Sequence, residues 1–466
     1  EWWSRKLKKR INCVDDSEVQ ILNGGHNDKT YKIGKSPRNL MVSTVGDELR
    51  LATGFGSKVF GVSYKDRAAM LPAGKLANAA YWFDTKTGGF ISSTYYMKKL
   101  PEWVEKFNQQ KFPDRYFGKK WEKLLPDSAY KLSRKDNFPY EMNFKGIGIT
   151  FPHIITGNSR HPDEEFYKAF THVPFADKHL LEFAKSLIKN ENLGTDSFTD
   201  ILTISFSATD RIGHLFGPYS VEMQDQIARL DRILAGFFKF LDKTIGTNQY
   251  LIILTADHGD APIPEYMRTL NFTAGRIDVE AVPRGEDSRI IHTTVEAYLD
   301  STIAVGDWVE AFVKPNLYLN YYTIKNHNIK RQKVEQLAKK ALLKIPGISS
   351  VFTRTELLNG QFSPNSIGKR ILNQFYPERS GDLVVHYKPY FITAGYKHSA
   401  SKGADHETGY DYDTHIPLIF WGPGVKVGNY HQSVILNDLA PTLSSILKIA
   451  FPSGNQGHVL YEALLN

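Results

Sequence analysis

Asp210 and His214 stand four apart in "TDRIGH", Asp257 and His258 are adjacent in "LIILTADHGD", and His406 lies in "ADHETG". Two carboxylates and three imidazoles thus come from three well-separated stretches. Imidazole with carboxylate is a donor set that suits Zn²⁺ and, less strictly, Mn²⁺ or Fe²⁺. Each fragment alone says little. An Asp and a His four apart usually form a surface pair, a lone "DH" is usually a turn or cap, and a lone His in an acidic loop is usually just exposed. Jointly they are more specific, because each lies near a different predicted strand end. The run "LIILTA" closing directly on Asp257 and His258 is the sharpest case. An acid and an imidazole at the end of an apolar strand need a compensating partner, and a dication is one.

Lys65 and Arg67, in "SYKDRAAMLPAG", form a second candidate group. Residues two apart on an extended backbone project to one side, so the pair is expected to face one way if the backbone stays extended, and its functional reading is a phosphate clamp. The plainer alternative is a solvated basic pair. A monoester dianion carries more charge on its non-bridging oxygens than a diester, and a Lys point charge beside an Arg fork would favour it. His415, at the start of "HIPLIFWGPG", reads as structural rather than as a ligand.

The elements that must position these groups alternate. "KVFGVS" (58–63), "DILTISFS" (200–207), "YLIILTA" (250–256) and "HIPLIFWGPG" (415–424) read as buried parallel strands, the first three running into polar loops. After Pro218 an amphipathic helix is predicted, with Ile227, Leu230, Ile233, Leu234, Phe237, Phe238 and Leu241 on its apolar face and Gly246 as its stop. A further helix is predicted over 437–451. The pattern is α/β, a doubly wound, mostly parallel sheet with helices on both faces. In such sheets functional loops lie beyond the carboxyl ends of the strands. Residues 265–399 differ. "IKRQKVEQLAKKALLKIPG" reads as a helix, and "ISSVFTRTELL" and "GDLVVHYKPYFI" as strands, giving a smaller inserted α+β lobe. The core is then 1–264 with 400–466. A second insertion, about 100–195, is rich in aromatic and charged residues.

The 466 residues are 41% apolar and 23% charged, enough to bury a sizeable core, and no apolar run is long enough to span a bilayer. The net charge of +8 is spread in short runs with no zinc-finger or ribonucleoprotein signature, so no nucleic-acid partner is expected. A single cysteine, Cys13, rules out an intramolecular disulfide.

"TDRIGHLFGP", "TADHGDAP", "THIPLIFWGPG", "NDLAPTLSSIL", "SYKDRAAMLPAG" and "PRNLMVSTVGDELRLAT" together resemble the alkaline phosphatase superfamily. The resemblance is closest to phosphate-irrepressible bacterial alkaline phosphatases within the type I phosphodiesterase/nucleotide pyrophosphatase group, and it covers nearly the whole chain. It implies two Zn²⁺ ions clamping the attacking and leaving oxygens of an in-line displacement. Asp210, His214 and His406 match the ligands of one, and Asp257 and His258 match ligands of the other. Lys65 and Arg67 match the pair that binds substrate phosphate, which implies a zinc-dependent phosphomonoester hydrolase working through a phospho-enzyme on small-molecule phosphate monoesters. A phosphodiesterase of the same fold and a non-catalytic metal-binding relative are the alternatives. A periplasmic or secreted location follows from the resemblance alone. The family pattern also has a first-strand Asp, a Thr or Ser nucleophile and a phosphate-binding Asn, all of which would precede Glu1. Neither Thr209 nor Ser63 opens a helix in the required context. The expectation is therefore of an N-terminally truncated chain, poorly stable and inactive as it stands.

Overall fold

The computed structural model describes residues 1–23, 33–277, 289–393 and 402–465. A five-stranded mixed sheet has the order Ile201–Ser205, Val59–Ser63, Ala79–Asp84, Gly89–Ser93, Ile21–Leu22. The first three strands are parallel, with Ser205, Ser63 and Trp82 level across them. The β-branched and aromatic run of Val59–Ser63 is buried throughout, as a strand covered on both faces must be. Parallel neighbours require a crossover, and the helix Asp66–Ala73 supplies it between Val59–Ser63 and Ala79–Asp84.

Two of the polar loops expected after strands are helices. "DRAAMLPA" forms the helix just named, and "ATDRIGHLF" forms the helix Ala208–Phe216. Their charged residues lie on exposed or functional faces while Ala69, Met70, Ile212 and Leu215 are buried, a 3.6-residue pattern hidden by the polar letters. The segments Ile252–Thr255 and Leu418–Trp421 also depart from expectation. They pair antiparallel in a separate two-stranded sheet, with Thr255 opposite Leu418. A short apolar run reveals burial but not strand direction. Both strands are only partly buried, as is Ile201–Ser205.

The long helix spans Val221–Thr244, with the Ser220 hydroxyl accepting from the Met223 amide at 3.0 Å and Gly246 at φ 112° beyond its end. Of its expected apolar stripe only Phe237 and Leu241 are buried, and Ile227 is 50% exposed. The principal core instead draws on the aromatic 100–195 region. Val104, Trp121, Phe166, Phe170 and Phe183 pack with Phe60, Tyr81 and Phe90 of the sheet.

A four-stranded antiparallel sheet has the order Val309–Val313, Asn316–Leu319, Leu383–Tyr387, Ile348–Thr353. The helices Arg289–Thr302 and Arg331–Leu342 cover it, enclosing their own core of Val295, Leu299, Trp308, Phe312, Val334 and Leu342. Within "ISSVFTRTELL" only Ile348–Thr353 is strand. Thr353 and Glu356 then form a reciprocal capping box that starts the helix Arg354–Asn359.

Candidate metal centre

The helix Ala208–Phe216 carries Asp210 and His214 four apart, which places them on one face. Its start is fixed from beneath. Asp177, on the helix Phe175–Asn190, accepts from the Ala208 amide at 3.3 Å and from Gln226 Nε2 at 2.7 Å. Gln226 also donates to Thr209 Oγ1 at 3.0 Å. Burial pushes the Asp177 carboxyl up to about 7 in spite of those two hydrogen bonds.

Three imidazoles converge on one oxygen. Asp210 Oδ1 lies 3.5 Å from His214 Nε2, 3.5 Å from His258 Nε2 and 3.6 Å from His406 Nε2. That oxygen is buried and has no hydrogen-bond partner. Ligands bound at ~2.0–2.1 Å around a tetrahedral zinc stand roughly 3.3 Å apart, close to the spacing seen. Asp210, His214 and His406 offer ligand atoms that all lie within 4.8 Å of one another. The other ring nitrogens are held in place. His214 Nδ1 lies 3.1 Å from the Ala404 carbonyl and His258 Nδ1 2.7 Å from that of Gly259. A donor bond at Nδ1 leaves the Nε2 lone pair for a cation. Burial, with His258 next, pushes His406 down to about 3, so its ring is neutral at ordinary pH. The His258 and His406 rings stack with centroids 3.5 Å apart. An orphaned buried carboxylate oxygen ringed by three imidazole nitrogens fits a divalent metal.

Asp257 is placed differently. Its side chain is 84% exposed, and its Oδ2 lies 3.6 Å from His258 Nε2. It adjoins the cluster through His258. His415 is exposed at the end of the short helix Asp411–Thr414.

Lys65 reaches Asp210 directly, with Nζ 2.5 Å from Oδ2. The level ends of Val59–Ser63 and Ile201–Ser205 bring the two residues side by side. Burial works against the Asp210 charge, but Lys65 and His214 outweigh it and hold the carboxyl well below the usual range. The expectation that Lys65 and Arg67 project together from an extended strand fails. Lys65 is the extended residue before the helix, with φ −113° and ψ 133°, whereas Arg67 sits in its first turn and is exposed. The strand period of two therefore does not apply to them. Ser63 Oγ donates to the Ser205 carbonyl at 3.1 Å, and Thr209 Oγ1 accepts from Gln226, so both hydroxyls are engaged elsewhere.

Sequence reasoning missed an outer layer of carboxylates. Both oxygens of Asp260 are buried without hydrogen-bond partners, and burial, Asp405 and Asp210 push its carboxyl far up. A Cβ on Gly213 would lie 2.5 Å from Asp260 Oδ2, so this glycine lets the acid approach the Asp210 helix. Asp405 precedes His406 and lies 4.0 Å from His214 Nδ1. Both acids were visible in "DHGD" and "ADHE", but their neighbours drew the attention.

The profile of the type I phosphodiesterase / nucleotide pyrophosphatase family matches residues 56–411. The chain belongs to that family. The matched span holds Lys65, Arg67, Asp210, His214, Asp257, His258 and His406. A family member from Myroides odoratus, named a calcium-transporting ATPase, is 38% identical over 97% of this chain and 79% of its own length. The alkaline phosphatase PhoV of Synechococcus elongatus is 37% identical over 99% of this chain and 80% of its own. The crystal structure of the alkaline phosphatase PafA superposes with a TM-score of 0.89 at 34% identity, covering 100% of this chain and 85% of that one. The chain thus has the mixed α/β fold of the PafA phosphatase.

Proposed function

We propose that this protein is a zinc-dependent phosphomonoester hydrolase of the alkaline phosphatase kind. The observation that carries the reading is the convergence of the His214, His258 and His406 Nε2 atoms on the orphaned Asp210 Oδ1. The names of PhoV and PafA supply the reaction class. No helix among the described residues is long and apolar enough to cross a membrane.

Asp210, His214 and His406 would hold one zinc, and Asp257 with His258 would contribute to a second. Bound zinc supplies Lewis-acid stabilisation of the charge on the entering and leaving oxygens. The chain's own groups do the rest. Lys65 keeps Asp210 ionised and offers its remaining ammonium protons to a phosphate oxygen. Arg67, exposed two residues further on, can add a guanidinium fork without breaking a buried ion pair. The carbonyls of Ala404 and Gly259 would accept from Nδ1 of His214 and His258, the tautomer that carries its lone pair on Nε2. Transfer through a phospho-enzyme is part of the proposal: a Thr or Ser oxygen of the full protein would take the phosphoryl group as the ester's alcohol leaves, and water would then release phosphate.

Phosphodiester hydrolysis is the second reading, favoured by the family to which the chain belongs. Rates on nitrophenyl phosphate and bis(nitrophenyl) phosphate, measured on the gene product that carries this sequence, separate the two. The monoester is expected to be the better substrate by orders of magnitude. In Lys65→Ala/Arg67→Ala the monoester rate is expected to fall more than the diester rate. Equal losses on both would defeat the clamp.

A further inference from the structure

Several side chains of the inserted lobe reach the loop that carries His406: Arg276 Nη2 donates to the Gly403 carbonyl at 2.8 Å, Thr393 Oγ1 lies 3.4 Å from Asp405 Oδ2, and Lys314 makes the shortest contact to Asp405. Lys314 sits in the turn between the strands Val309–Val313 and Asn316–Leu319, where Val313 pairs with Asn316. Its side chain is only 12% exposed. Nζ lies 2.6 Å from Asp405 Oδ2, 3.2 Å from Glu407 Oε2 and 3.3 Å from Thr393 Oγ1. The ammonium thus grips the residues on both sides of His406. Asp405 carries the grip inward, because its Oδ1 accepts from the His406 amide at 3.0 Å and its carbonyl accepts from the Ala261 amide at 3.1 Å.

The loop held in this way needs holding. Glu407 has φ +90°, a backbone conformation that a non-glycine residue keeps only when its surroundings over-determine it. Gly403, at φ +76°, has no room for a side chain, since a Cβ would lie 2.3 Å from the His214 carbonyl oxygen. His406 is therefore displayed from a strained loop pressed against the Asp210 helix, and the lobe's cation is clamped across it. Burial opposes the charge on Lys314, but Asp405 and Glu407 outweigh it, so the ammonium persists.

We propose that Lys314 is a positioning residue for the metal centre: through Asp405 and Glu407 it fixes the loop that presents His406, and so couples the inserted lobe to metal affinity. The proposal rests on the metal reading above. It makes a prediction opposite to simple electrostatics. Removing a cation from beside a dication site should strengthen metal binding if charge alone mattered. Loss of positioning should weaken it, and partners that orient metal ligands typically account for ~10–100-fold in affinity.

The test is Zn²⁺ affinity by chelator competition for the wild type, Lys314→Met, Asp405→Asn and the double variant. Urea unfolding of each metal-free protein is run alongside. Lys314→Met is expected to bind Zn²⁺ ~10–100-fold more weakly. The double variant should lose little more than the single ones, since both act along one path. Unchanged or tighter zinc binding in a folded Lys314→Met protein would overturn the proposal, as would fully additive losses. Should Lys314→Met not fold, retained affinity in Asp405→Asn would overturn it equally. A wild type that binds no zinc removes both this inference and the metal reading, whereas equal affinity in wild type and variants removes the inference alone.

Discussion

Asp210 is the residue on which the site turns. Its Oδ2 takes a lysine and its Oδ1 faces three imidazole nitrogens with no proton donor of its own. An ionised carboxylate buried in that way is costly unless a cation completes it. Replacing His406 by alanine removes one of the converging nitrogens. Metal content of the purified variant, by elemental analysis, is expected to drop by at least half. Unchanged content would count against this ligand set. Gly213→Ala tests the closeness of the outer acids. A methyl group 2.5 Å from Asp260 Oδ2 forces that buried carboxylate to shift, and overpacking of this kind costs about 1–3 kcal/mol in urea unfolding. At this scale much was legible, because Asp and His in "TDRIGH" and "TADHGD" announce themselves by type and spacing. Asp260 and Asp405 stand in the same stretches, yet nothing in their spacing separates an outer acid from an exposed one. Lys314 lies 91 residues from Asp405, and no local pattern connects them.

At the scale of elements, the sheet edge and the helix Ala208–Phe216 do the positioning. Strands were readable as short apolar runs. The helices Asp66–Ala73 and Ala208–Phe216 were not, because functional charges interrupt their apolar face and mimic a loop. That error also misplaced Arg67, which follows helical rather than strand geometry. Asp177, under the start of the metal-site helix, gives this element a pH signature. Its carboxyl titrates near 7 in the folded protein against an ordinary value of 3.8. The folded state therefore holds a proton that the unfolded chain has released. Its contribution to stability is complete below about pH 4 and is lost as the pH rises to about 7. Asp177→Asn is expected to flatten the fall in unfolding free energy between pH 4 and 7, a change on the order of a few kcal/mol. An unaltered slope would show that Asp177 titrates normally.

On the scale of the molecule, two large cores stand apart from each other. The larger belongs to the five-stranded sheet and the aromatic 100–195 region, the smaller to the lobe. The alternation of elements made the α/β class legible, while the antiparallel pairing of Ile252–Thr255 with Leu418–Trp421 is a long-range choice that no local pattern encodes. The chain's start is tied to the lobe. Arg5 joins Glu310 at 2.7 Å and the buried Asp382 at 2.5 Å, and lies over the Tyr321 ring. Arg5→Ala leaves Asp382 short of its countercharge. With Arg5 itself partly solvated, a loss of about 2 kcal/mol is expected in thermal or urea unfolding.

A metal is expected to lie where the imidazoles converge. Crystals soaked in Zn²⁺ and measured on both sides of the zinc absorption edge test this directly. An anomalous peak bonded to Asp210 Oδ1, His214 Nε2 and His406 Nε2 is expected. An empty map among those three atoms, in protein that is folded and saturated with zinc, would contradict it.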